Sequence, residues 1–124
     1  MSKTALILFA HGARDPEWAL PIERVRAVVR AKAPGLRIET AFLEFMKPNL
    51  RDRAETLVRE GFERIVVLPM FIAQGGHLKR GVPLLVDELR RLYPHTRFEL
   101  AGVIGEAECI VQAMAEHVLA LSEG

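Results

Sequence analysis

Four times along this chain a short, dense apolar run gives way to a longer stretch whose apolar residues recur at three- and four-residue spacing. That alternation leaves few folds open. The first run, Thr4 to Ala10, precedes a helical pattern from about Pro16 to Lys32, in which Trp18, Ile22, Val25 and Val29 fall at helical spacing, and Pro34-Gly35 stops it. The second, Leu36 to Leu43, precedes a helix from about Asn49 to Glu60, ended by Gly61. The third, Arg64 to Ile72, leads through a glycine-containing loop to a helix from about Val82 to Leu92, stopped ahead of Pro94. The fourth, Arg97 to Val103, precedes a helix from about Ala107 to Leu121 with the stripe Ile110, Val111, Met114, Val118 and Leu121. Strands alternating with helices predict an α/β fold: one (βα)4 three-layer domain with a parallel sheet and helices packed on its faces. At 124 residues the whole chain, 1–124, makes a single domain that buries roughly two thirds of its unfolded surface.

The runs differ in a way that orders them. Ala5 to Phe9 and Ile65 to Leu68 are continuously apolar, as interior strands covered on both faces are. The second and fourth carry charges at alternate positions, Arg37 and Glu39, then Arg97 and Glu99, which suits partly wet edge strands. Two central and two edge strands joined by right-handed crossovers give the order 2-1-3-4. Chain direction then reverses between strands one and three, and a ligand crevice is expected at their carboxyl ends.

Strand one runs into Ala10-His11-Gly12-Ala13-Arg14 at that crevice, and strand three into the segment Pro69 to Arg80, which contains Gly75, Gly76 and His77. Both histidines are therefore expected on neighbouring loops over one cavity, offering neutral nitrogens for a divalent metal or for proton transfer. Each also has a plainer reading: His11 bonds a neighbouring carbonyl, and His77 helps cap the following helix. Gly75-Gly76 is either ordinary loop chemistry or a place where backbone approaches a ligand closely. Strand two ends in Phe42-Leu43-Glu44, so Glu44 faces His11 as a third ligand, a proton acceptor or a solvated loop acid. A His/His/Glu set suits cobalt, nickel, iron or zinc better than magnesium. Arg14, Lys47, Arg51, Lys79 and Arg80 surround the same edge, where together they complement a polycarboxylate and singly are surface charge.

The rest of the chain narrows the function further. Net charge is +1 with both signs interspersed, which excludes the basic face a nucleic-acid binder needs. Cys109 is the single cysteine, so neither an intrachain disulfide nor a cysteine zinc site is available; beside apolar helix positions it reads as a small buried thiol. His95 lies in a turn at the opposite edge of the sheet, and His117 on a helix surface. Strand one lacks the spaced glycines of a dinucleotide site, and no Walker loop is present. The apolar run near the N-terminus is too short for a signal peptide core or a membrane span, so the cytoplasm is the expected compartment.

His11-Gly12-Ala13-Arg14-Asp15 after strand one, Phe42-Leu43-Glu44 after strand two, and Gly76-His77 with Val82-Pro83 after strand three together resemble the CbiX sirohydrochlorin chelatases, across nearly the whole chain. The likeness is to the short form, a flavodoxin-like half-chelatase that works as a homodimer; longer relatives look like two such halves fused. It implies that His11 and His77 bind metal and abstract protons, with Glu44 at the acidic position that joins them. It also implies binding of sirohydrochlorin, a tetrapyrrole with eight carboxylates, against Arg14, Lys47, Gly75, Gly76 and Lys79. The metal substrate is then Co²⁺, or alternatively Fe²⁺ or Ni²⁺, on routes to cobalamin or sirohaem, without ATP or an organic cofactor. Ala13 stands where the family commonly has serine, and Gly81 where it usually has aspartate. A module that binds metal or tetrapyrrole without turnover is therefore the competing reading. A phosphate-binding α/β domain built on Gly75-Gly76 is another, and a purely structural subunit a third.

Overall fold

A computed structural model describes residues 3–123. Strands β1 (Thr4–Ala10), β2 (Arg37–Phe42), β3 (Arg64–Pro69) and β4 (Arg97–Leu100) form one parallel sheet in the order β2-β1-β3-β4. This is the order expected from the two apolar and two charged runs. Helices α1 (Leu20–Lys32), α2 (Leu50–Arg59), α3 (Gly76–Leu92) and α4 (Glu108–Ser122) follow the strands in turn, with short 3-10 turns at Pro16–Ala19 and Ile104–Glu106.

The core lies on one side of the sheet. Ala5, Ile7 and Phe9 of β1, Ile65 and Val67 of β3 and Phe98 of β4 pack beneath Leu50, Ala54 and Leu57 of α2 and Val82, Val86 and Leu89 of α3. Alternate residues of a strand share a face. The intervening Leu6, Val66 and Leu68 therefore turn to the other side, where α1 lies against β2 and β1, and they remain half-buried. None of the residues of α1 or of α4 is buried.

Arginines cap both edge strands; β4 is partly wet as expected, with Arg97 exposed and Glu99 and Leu100 half-buried, whereas β2 is largely buried. On β2, Arg26 Nε donates to the Ile38 carbonyl at 2.9 Å and Arg53 Nε to the Thr40 carbonyl at 3.0 Å. On β4, Arg90 donates from Nε and Nη2 to the Phe98 carbonyl at 3.2 and 3.0 Å. These guanidinium groups occupy acceptors that a foreign strand would otherwise use. Glu39, only 8% exposed, holds three of the edge arginines, with Arg37 at 2.6 Å, Arg26 at 2.9 Å and Arg53 at 3.9 Å. Burial raises the Glu39 carboxyl, and the Arg37 hydrogen bond with the charges of Arg53 and Arg26 outweighs it, leaving the group below the ordinary glutamate value. The charges at alternate positions of β2 thus mark a buried ion cluster.

Three expectations give way to the structure. Helix α3 starts at Gly76, not near Val82, and carries Pro83 inside it. The Val82-Pro83 pair looks like a helix start because proline suits a first turn; here its missing N–H costs only the one bond to the Lys79 carbonyl. Strand β4 ends at Leu100, short of Val103, because Gly105 docks at once on the exit of β3. Cys109 is exposed, since α4 does not pack over the sheet.

Candidate active site

The exits of β1 and β2 are joined by backbone. Leu43 N donates to Ala10 O at 2.9 Å and Glu44 N to His11 O at 3.1 Å, extending the strand ladder into the loops. Gly12 makes the approach possible. Its φ is +87°, and a Cβ there would sit 2.0 Å from the Glu44 carbonyl oxygen, inside any allowed contact. The same pinch brings the two side chains together, with His11 Nδ1 3.7 Å from Glu44 Oε1. Both are about half exposed, at 51% and 48%, so a metal or substrate can reach them. The imidazole also lies edge-on to Phe71, 6.3 Å between ring centres, and its Nδ1 is 3.4 Å from the Gly12 carbonyl.

His11 stands on the wall of an open cavity of about 680 Å³ lined by Ala10, Gly12, Ala13, Trp18, Pro21, Ile22, Phe42, Met70, Phe71, Ile72, Ala73 and Leu78. Its size is in the range of a cofactor-sized ligand and its surface is almost wholly apolar. It sits where the sheet order reverses, at the carboxyl ends of β1 and β3. A second hollow of about 520 Å³ shares Ala13 and Phe42 as walls and adds Arg14, Phe45, Lys47, Arg26 and Arg53. There the Arg14 guanidinium lies 4.8 Å above the Phe45 ring.

His77 is placed differently from the loop position expected. It belongs to the first turn of α3, which opens at Gly75 with no side-chain cap, and it is exposed while its neighbour Leu78 lines the cavity. Among the described residues no three His, Cys, Asp or Glu side chains converge closely enough to hold a metal ion, so His77 does not close a triad with His11 and Glu44. Gly75 and Gly76 provide the helix start; a Cβ on Gly76 would lie 3.5 Å from the Arg80 guanidinium, an ordinary contact. Lys79 is exposed on the same turn. Arg51 sits elsewhere, on α2 at 3.5 Å from Glu88 of α3, across the core from α1. Met70 lines the cavity, as a core or pocket-lining methionine is expected to, whereas Trp18 and Ile72 are the cavity residues that sequence reasoning missed. Trp18 falls in phase with Ile22 and Val25 and so reads as core, yet it is 70% exposed on the rim. Pro16 and Pro21, which bracket it, are the signal that the helix there is broken.

An open parallel sheet with a histidine–carboxylate pair at its switch point, above an apolar hollow edged by cations, defines a small α/β ligand-binding domain of the crevice type. The chain belongs to the CbiX family, whose family model matches residues 5–121. It is 33% identical over 104 residues to a sirohydrochlorin cobaltochelatase of Priestia megaterium, covering 84% of this chain but 34% of that longer protein. A sirohydrochlorin cobaltochelatase of Saccharolobus solfataricus is 32% identical over 119 residues, 91% of each chain. Among solved structures, a CbiX protein of Marinobacter aquaeolei VT8 superposes with a TM-score of 0.79 at 26% identity, covering 97% of this chain and 98% of that one. The sirohydrochlorin chelatase SirB of Bacillus subtilis, solved in complex with cobalt, shares the fold with a TM-score of 0.78 at 24% identity; 95% of this chain matches 50% of SirB.

Proposed function

We propose that this chain is a sirohydrochlorin chelatase that inserts a divalent metal, Co²⁺ first and Fe²⁺ or Ni²⁺ as alternatives, into the tetrapyrrole in the cytoplasm, working as a homodimer. The observation that carries the reading is the His11–Glu44 pair, 3.7 Å apart and half exposed, on the wall of the apolar crevice. The cobaltochelatase relatives support it, one of them spanning 91% of its own length with this chain. Among the described residues no helix is long and apolar enough to cross a membrane.

The chemistry follows from what each group offers. The flat macrocycle covers Phe42, Met70 and Phe71, whose burial by an apolar ring is favourable, and its carboxylates reach Arg14 and Lys47 in the adjoining hollow and Lys79 on α3. Metal insertion replaces two pyrrole protons by one M²⁺, so the site must both deliver a cation and remove two protons. Neutral imidazoles of His11 and, from the first turn of α3, His77 deliver the metal, with Glu44 as the third ligand. As the ring takes the metal, His11 accepts a proton and the Glu44 carboxylate beside Nδ1 stabilises the resulting imidazolium. His77 or Glu44 takes the second. Because His77 lies on α3 and His11 in the loop just beyond β1, the ligand set closes around the metal during transfer rather than before it.

The test is anaerobic absorbance of sirohydrochlorin with Co²⁺, Fe²⁺ or Ni²⁺. Wild-type protein is expected to accelerate the spectral shift. His11→Ala and His77→Ala should each lose at least about 100-fold, the usual contribution of a positioned acid–base group. Tight tetrapyrrole binding with no acceleration by any metal would replace the chelatase reading with a binding module.

A further inference from the structure

Phe45 is the outlier of the β2 exit. Among the described residues it is the one non-glycine with a positive φ, at +67°. Met46 N donates to Glu44 O at 2.8 Å across it, which closes a three-residue γ-turn. A γ-turn with positive φ at its centre is rare and strained, and a bulky aromatic is poorly suited to it. Burial does not hold Phe45 there, since it is 55% exposed. The loop does: Phe42 N donates to Pro48 O at 2.9 Å at its base, and Glu44 N to His11 O at 3.1 Å ties it to the β1 exit. Strain of this kind gathers at ligand sites, where the side chain has a task.

The neighbour of the Phe45 ring is Arg14, whose guanidinium carbon lies 4.8 Å from the ring centre. Cation–π attraction engages the charge and uses no N–H donor. Among the described residues Arg14 makes neither a hydrogen bond nor an ion pair, so its donors remain for a ligand. The hollow of about 520 Å³ that both residues line carries Arg14, Arg26, Lys47 and Arg53 against Glu23 and Glu39, a surplus of positive charge. The two acids are already taken. Arg37 and Arg26 hold Glu39 at 2.6 and 2.9 Å, while Glu23 lies 3.6 Å from Arg26 and accepts from Thr40 Oγ1 at 3.2 Å. The uncommitted charge is therefore at Arg14 and Lys47, and Arg14 directly follows Ala13, a wall shared with the His11 crevice.

We propose that Phe45 is a positioning residue for Arg14. Its strained turn holds the ring against the guanidinium, and the ring keeps that guanidinium set to take a peripheral carboxylate of a ligand whose flat body lies in the His11 crevice. A guanidinium held in place forms its paired bonds to a carboxylate with less rotamer freedom left to lose. The hollow is then the subsite that favours polycarboxylate tetrapyrroles over those with an apolar rim. This rests on the tetrapyrrole reading above for the chemistry of the ligand, but not on metal transfer.

The test is binding without metal. Trp18, the single tryptophan, lines the crevice, so quenching of its fluorescence reports porphyrin binding to the full chain. The probes are uroporphyrin, an octacarboxylate, and mesoporphyrin, a dicarboxylate. Wild type is expected to bind uroporphyrin more tightly, and Arg14→Gln to weaken that binding at least about 10-fold, as loss of a charge-assisted pair does. Phe45→Gly relieves the turn while removing the ring, so its urea midpoint should equal or exceed that of wild type while uroporphyrin binding weakens about 5-fold. Phe45→Leu keeps apolar bulk and should bind as weakly as Phe45→Gly, whereas Phe45→Tyr should restore binding. In an Arg14→Gln background Phe45→Gly should add no further loss, because the ring acts through Arg14. In the metallation assay the change belongs in KM rather than kcat. Uroporphyrin binding by Phe45→Gly equal to wild type would overturn the proposal, as would a wild type that binds both porphyrins equally or binds neither. Weaker binding together with a lowered midpoint would make Phe45 a prop of the loop and overturn it too. Absent metallation with the binding differences intact would remove the chelatase reading and leave the subsite standing.

Discussion

Gly12 decides the geometry of the crevice more than any ligand does. A side chain there meets two penalties, the left-handed φ of +87° and a Cβ position 2.0 Å from the Glu44 carbonyl oxygen. The first alone is worth about 1–3 kcal/mol. Gly12→Ala is therefore expected to lower stability by at least about 2 kcal/mol in urea unfolding, and to part His11 from Glu44, so that metallation falls even where the variant is folded. A midpoint within experimental error of wild type would show that the loops relax without cost. His11, Glu44 and Gly12 were all readable from the sequence as residues at strand ends. Their 3.7 Å pairing was not, because it depends on the backbone bonds Leu43–Ala10 and Glu44–His11, which join segments more than thirty residues apart. His77 illustrates the reverse: its position after β3 was legible, but a glycine pair opening a helix without a side-chain cap carries no start signal that sequence can read.

At the level of elements, α3 is a helix working against its own composition. Gly76, Gly81 and Pro83 all fall within Gly76–Leu92, and the helix holds because Val82, Val86 and Leu89 are buried against the sheet. Tertiary packing of one face outweighs weak intrinsic propensity. A Cβ at Gly81 would meet nothing within 4 Å, and the φ there is not left-handed, so Gly81→Ala should stabilise the fold by roughly 0.5–1 kcal/mol. The urea midpoint is the measurement, and a decrease would mean the helix needs the freedom of glycine. Further along α3, Asp87 pairs with Arg90, its Oδ1 2.6 Å from Nη1.

For the whole molecule, stability toward acid is concentrated at the two sheet edges. Arg64 and Arg97 clasp Glu99 on β4, through hydrogen bonds of 2.7 to 3.0 Å, and hold its carboxyl at about 2, below the ordinary 4.5. Glu39 on β2 is lowered as well. A carboxyl with a depressed native value contributes stability that is complete above its unfolded value and is lost as pH falls toward the folded one. Stability should therefore be level near neutrality and fall from about pH 4.5 toward pH 2. Urea midpoints at pH 7, 5 and 3 would trace the decline, and Glu99→Gln should flatten part of it. An acid limb identical in Glu99→Gln and wild type would remove Glu99 from this account.

The sequence by itself determined the elements, the 2-1-3-4 order and the end of the sheet where the site lies. Apolar period, strand charge and the handedness of crossovers are local or topological properties that survive without coordinates. Only the tertiary structure decided which apolar stripes are core. α1 and α4 carry apolar residues at helical spacing, less sharply confined to one face than in α2 and α3, and none of their residues is buried, while all but one residue of β2, Glu39 among them, are. Periodicity reports that a face wants covering; what covers it depends on which other surfaces reach that place, and for α4 the structure puts none there.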